Sequence, residues 1–153
     1  MVPFTLEQNA ERENRFVVDL AKTSLHAEKL PVKMCAEAVN YTIYTLNKTG
    51  ISGEKGVTNI ELWLKKKPKI SNLRTFGEEV YFYISKEKRR KWNVKAEKSV
   101  FVGYDENTKG FRIWLPERGQ VKIHRDVRFT DQYYEFNSNE EWESDSNTII
   151  FKH

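Results

Sequence analysis

Seven cations, Lys86, Lys88, Arg89, Arg90, Lys91, Lys95 and Lys98, fall within thirteen consecutive residues, with Trp92 among them. Clustered lysine and arginine can neutralise a phosphate backbone, drawing affinity from released counterions and losing it as salt rises. An indole beside them can stack on an unpaired base. No base-reading pattern accompanies the run, so the chemistry expected is contact with a DNA or RNA backbone. The structural alternative is a solvated lysine-rich loop in which Trp92 caps a core.

Acidic side chains offer a second chemistry. Two-metal phosphoryl transfer needs carboxylates that converge from separate elements. Glu11, Glu13 and Asp19 share one short helical stretch and enclose nothing between them. The elementary role of Glu11 is therefore to stabilise the positive end of a helix dipole from its first turn, by about 0.3–1 kcal/mol. His26, His124 and His153 are isolated, and a single cysteine, Cys35, can close no internal disulfide. One Cys with three scattered His cannot build a zinc finger. The chain has no Ser–His–Asp or Cys–His set, phosphate-cradling glycine loop or dinucleotide motif, which removes hydrolase and nucleotide-binding classes. Tyr81, Tyr83, Tyr104 and Trp114 could form an aromatic cage for a methylated lysine. Their places in alternating strands make core and surface packing the expected role.

The net charge of +4 is unevenly divided. Residues 1–64 carry a net −1, residues 65–98 a net +8, residues 99–130 a net +2 and residues 131–153 a net −5. A basic middle followed by an acidic end predicts an electrostatic binding surface with a solvated or self-competing tail. The 153 residues are 39% hydrophobic, enough for one modest core or two small ones. No stretch approaches the roughly 18–20 apolar residues of a membrane span, so membrane contact is not expected. Residues 1–16 lack the apolar run of a secretory signal. An intracellular setting, nuclear or cytoplasmic, is the expectation.

Positioning elements follow from hydrophobic period. Val17, Leu20, Ala21 and Leu25 trace one helical face over residues 11–29, with Asn9 as N-cap and Pro31 as stop. Cys35, Ala38, Val39, Thr42, Ile43 and Leu46 trace a second helix from Pro31 to about Lys48. The short link between them predicts a helical hairpin with Cys35 in its seam. Residues 49–57 read as a loop and 59–64 as one or two helical turns. After Lys65-Lys66-Lys67-Pro68-Lys69 the period changes from 3.6 to 2. Alternating stretches at 79–84, 99–104, 111–115 and 121–129 then predict antiparallel strands, with turns at 105–110 and 116–119. In the last of them Val121, Ile123, Val127 and Phe129 share a face that Arg125 interrupts, which predicts a bend or bulge of the kind that lets a small sheet curl.

The residues themselves resemble a known family. Gln8-Asn9-Ala10-Glu11-Arg12-Glu13-Asn14-Arg15, Leu25-His26, Leu30-Pro31, Ala36-Glu37-Ala38-Val39-Asn40 and Leu46-Asn47-Lys48-Thr49 resemble the C-terminal part of the integrase core in copia-type LTR retrotransposon Pol polyproteins. Glu61-Leu62-Trp63, Lys67-Pro68, Leu73-Arg74-Thr75-Phe76-Gly77, Lys98-Ser99-Val100-Phe101-Val102-Gly103-Tyr104 and Arg125-Asp126-Val127 resemble the SH3-like domain that follows it. The resemblance spans roughly residues 5–131.

It implies an α+β chain with a helical hairpin from the end of an RNase H-like core at 1–64 and a small SH3-like antiparallel β-barrel at 73–130; composition adds a basic linker at 65–72 and an acidic, disordered tail at 131–153. It also implies that Glu11 matches the third catalytic, metal-binding carboxylate of a DNA strand-transfer site that uses Mg or Mn. The glycine and one further residue that normally separate the asparagine from this glutamate are missing in Asn9-Ala10-Glu11. The two partner aspartates belong to strands not included in these residues, so no cofactor and no turnover are expected of the chain alone. The expected function is nucleic-acid binding within an integrase region. The alternative is a protein-interaction module that docks other integrase or Pol segments. The hairpin, without the sheet it covers in such a core, is expected to leave apolar surface exposed.

Overall fold

The computed structural model describes residues 6–50, 56–84 and 95–134. Helix α1 spans Leu6–Ala27 and α2 spans Cys35–Thr49, the latter entered through a 3-10 turn at Val32–Met34 that follows Pro31. A third helix, α3, covers Asn59–Leu64. The Thr58 hydroxyl accepts from the Glu61 N–H at 3.3 Å and so caps it. Five strands follow: β1 (Glu78–Tyr83), β2 (Ala96–Asp105), β3 (Gly110–Leu115), β4 (Gln120–His124) and β5 (Val127–Tyr133). All pairings are antiparallel, in the order β4-β3-β2-β1-β5.

This order forces the sheet to curl. Only Arg125 and Asp126 separate β4 from β5, yet the two strands occupy opposite edges. Three Cα–Cα steps reach at most about 11 Å, whereas five flat strands at about 4.8 Å spacing would hold their edges farther apart. The Phe82 ring of β1 accordingly lies 4.4 Å from the His124 ring of β4. The interruption at Arg125 is thus the corner of the curl, and its Nε donates to the Thr108 carbonyl at 3.0 Å. The run 121–129 is two strands; Ile123 stays exposed and the other apolar residues divide between two cores. Val121 packs on the helix side, whereas Val127 and Phe129 pack inside the curl.

Those two cores occupy the two faces of the sheet. Inside lie Val80, Phe82, Phe101, Ile113 and Leu115. Outside, Val100, Val102, Trp114 and Phe76 meet Ala21, Leu25, Leu30, Met34 and Ala38 of the helical hairpin. The apolar face expected to be stranded is therefore largely used on the chain's own sheet, although Phe16, Val18 and Ile43 remain exposed. Val102 joins Val100 on the helix side by alternation, and a one-residue register shift between Phe101 and Gly103 then turns Tyr104 to the inner side with Phe101. Gly103, at φ +152°, lies in backbone space that favours glycine.

Three expectations on the helices need correction. Helix α1 begins at Leu6, so Asn9 sits within it, not at its cap, and Glu11 lies in its second turn. Cys35 is exposed, because the inward stripe of the second helical segment runs Met34, Ala38, Thr42, one residue out of phase with the predicted seam. Strand β5 continues through Tyr133.

Candidate nucleic-acid interface

Helices cover the outer face of the sheet over β2 and β3, and leave it open at β1 and β5. On that open face Tyr81 stands between Lys98 of β2 and Arg128 of β5, both its register partners. Two residues along, Tyr83 pairs with Ala96 and is 51% exposed. Tyr81, Tyr83, Ala96, Asp126, Val127 and Arg128 line a shallow groove. Alternation explains why these side chains gather: Val80 and Phe82 take the inner core, so Tyr81 and Tyr83 must face outward.

The electrostatics of the row are unequal. Lys98 Nζ lies 2.6 Å from Glu79 Oε2 and 5.1 Å from the centre of the Tyr134 ring. The bond to Glu79 raises the lysine pKa and keeps it cationic, but also compensates its charge. Arg128 is exposed and lies outside the ion pairs of the described residues. Lys95 is exposed at the end of this face, where its carbonyl accepts from the Ile84 N–H at 3.1 Å. Ile84 and Lys95 therefore bring both ends of the intervening segment to the same end of the sheet as the groove. Lys86, Lys88, Arg89, Arg90, Lys91 and Trp92 lie outside the described residues.

Sequence reasoning placed Lys95 and Lys98 in the site and missed Arg128, Tyr81 and Tyr83 as their neighbours. Strand register was the missing information, since Arg128 is 30 positions from Lys98. The four aromatics considered as a cage do not share one site. Trp114 is buried under the helices. Tyr104 stacks on Tyr44 at 4.2 Å and hydrogen-bonds the backbone around Arg74. Glu11 is exposed on α1. Among the described residues no three His, Cys, Asp or Glu side chains converge on one point, so they do not fit a two-metal centre.

Comparison with known sequences places the chain. Residues 78–143 match the retroviral polymerase SH3-like domain family. Over 132 residues the chain is 32% identical to the retrovirus-related Pol polyprotein from transposon TNT 1-94 of Nicotiana tabacum. The chain belongs to the retrotransposon Pol polyproteins. That alignment takes in 85% of the Pol segment described above and 10% of the tobacco polyprotein. The domain match begins at the first residue of β1 and takes in all five strands, so the curled sheet is the SH3-like unit. No solved structure matches the Pol segment.

Proposed function

We propose that this Pol segment is a nucleic-acid-binding part of a copia-type integrase region, and that it contacts phosphates through the open β1–β5 face and the adjoining basic run Lys86–Lys98. The observation that carries the reading is Tyr81, flanked in register by Lys98 and Arg128, with exposed Tyr83 beside it. Cations that alternate with aromatic rings suit a strand whose phosphates are neutralised while its bases stack. The segment holds only one of the three carboxylates that the family resemblance implies, Glu11, so metal-dependent strand transfer by these 153 residues alone is expected to be absent. Turnover with Mg or Mn would overturn that part of the reading.

Fluorescence anisotropy against labelled DNA and RNA tests the binding. Log affinity should fall with log salt at a slope near −0.9 per duplex phosphate contact. Replacing Lys88, Arg89, Arg90 and Lys91 by glutamate should abolish binding to all sequences alike, with the far-UV CD unchanged. Arg128→Glu should flatten the slope by about one contact. Truncation after Tyr134 removes a tail of net charge −4 and should tighten binding if that tail competes for the same cations. Salt-insensitive binding would favour a protein-interaction module instead. Trp63, 86% exposed beside a groove lined by Tyr44 and Ile60, gives that second reading its observation.

A further inference from the structure

We propose that Lys65-Lys66-Lys67-Pro68-Lys69 is a linear docking signal for an acidic protein groove, of the kind by which nuclear import receptors take extended lysine-rich peptides. The nucleic-acid reading above leaves this run unused, and the proposal stands independently of it. Four of its five residues are lysines, and all four are exposed. Lys65, at φ +52°, ends α3, and the chain from there to Gly77 contains neither helix nor strand. Pro68 has no N–H and a fixed φ, which holds its neighbourhood out of helix.

Four uncompensated lysines within five residues set this run apart from scattered unpaired cations such as Arg128. Among the described residues, Arg74, Lys98, Arg112 and Arg118 each pair with a carboxylate, and Lys65, Lys66, Lys67 and Lys69 do not. Adjacent like charges repel in the free chain, and an anionic partner removes that penalty on binding. Two features favour a protein groove over a phosphate backbone. Bound in extended form, such a segment would point Lys65, Lys67 and Lys69 to one side and Lys66 to the other, which suits a partner with two walls. The run is also bracketed by exposed apolar residues, Trp63 and Leu64 before it and Ile70 after it, which a groove can pack and a phosphodiester cannot. Short lysine-rich segments of this length are a recognised pattern for nuclear localisation.

The test uses the full chain fused to tandem fluorescent proteins too large to diffuse through nuclear pores, expressed in eukaryotic cells. Nuclear signal several-fold above the tag alone is expected. It should fall to the tag's level when Lys65, Lys66, Lys67 and Lys69 are all replaced by alanine, and persist when all four become arginine. Anisotropy with a purified import receptor should follow the same order, with far-UV CD equal across the variants. The proposal is overturned if the wild-type fusion does not accumulate or if accumulation survives the alanine variant. It is equally overturned if accumulation depends instead on Lys88–Lys91, or if the run binds DNA but no receptor.

Discussion

At Arg74 the backbone N–H donates to the Tyr104 hydroxyl at 2.6 Å, and the carbonyl accepts from the Tyr41 hydroxyl at 2.9 Å. The Arg74 guanidinium meanwhile lies 3.1 Å from Asp131 and over the Phe129 ring. Tyr104 also donates to the Asn72 carbonyl at 3.3 Å, so two tyrosines fix the strandless segment that leads into β1, and each must stay protonated to donate. Burial raises both tyrosine pKa values, Tyr104 well beyond the ordinary tyrosine range. In the unfolded chain a tyrosine ionises near pH 10. The unfolded state therefore loses protons first, and this contribution, complete below about pH 10, declines as pH rises further. Urea titrations from about pH 8 to 11 should show that decline, and Tyr104→Phe should flatten it while costing about 1 kcal/mol at neutral pH. Gly77 carries a second local constraint. Its φ is +84°, and a Cβ there would lie 2.6 Å and 2.7 Å from Glu28 Cγ and Cβ. Gly77→Ala should cost about 1–3 kcal/mol. Pairing it with Glu28→Gly should recover part of that loss, and strict additivity of the two changes would show that the contact is not the cause.

Helix α2 is fastened to the sheet by a fork as well as by packing. Arg112 of β3 donates from Nε and an Nη to the two oxygens of Glu37, both at 2.7 Å, and the carboxylate raises the arginine pKa. Because the pair is only partly buried, its coupling should be about 1–2 kcal/mol in a Glu37→Ala/Arg112→Ala cycle. Arg112→Lys should recover little of it, since lysine offers no planar fork. None of this was legible in the sequence, where Glu37 and Arg112 are 75 positions apart. The elements themselves were legible wherever burial is one-sided: Ala21 and Leu25, or Val80 and Phe82, repeat at the period their backbone imposes. Cys35 misled because a helix entered through a 3-10 turn starts its inward stripe one residue early, at Met34. The strand pair β4–β5 misled because alternation continues through a corner while the inward direction changes. The candidate site was half visible for the same reason. Lys98 is found by its place in a run of cations, but its neighbours Tyr81 and Arg128 are brought to it by register.

Across the whole molecule, helices and sheet share the cluster around Trp114, Val102 and Ala38, so neither half buries its apolar face without the other. Far-UV CD, reporting α1 and α2, and near-UV CD, reporting Trp114, should therefore melt with one midpoint. Trp114→Ala should lower both signals together, at a cost of about 3–5 kcal/mol. Two separated midpoints would show that the hairpin folds apart from the sheet.

The two-residue corner at Arg125–Asp126 has a consequence for self-association. Among the described residues the sheet ends at β4 and β5 without a further pairing, and unpaired edges recruit other chains into fibres. Here those edges meet at the corner, so a strand approaching either one there runs into the other. Away from the corner, β5 slips register by two residues between its Phe129 and Tyr133 pairings, with Asp131 at φ +56° inside the slip. The opposite edge, β4, is five residues long and carries Lys122. Neither edge offers a long, straight, uncharged template, and the curl that builds the inner core also keeps one copy of the chain from polymerising onto the next.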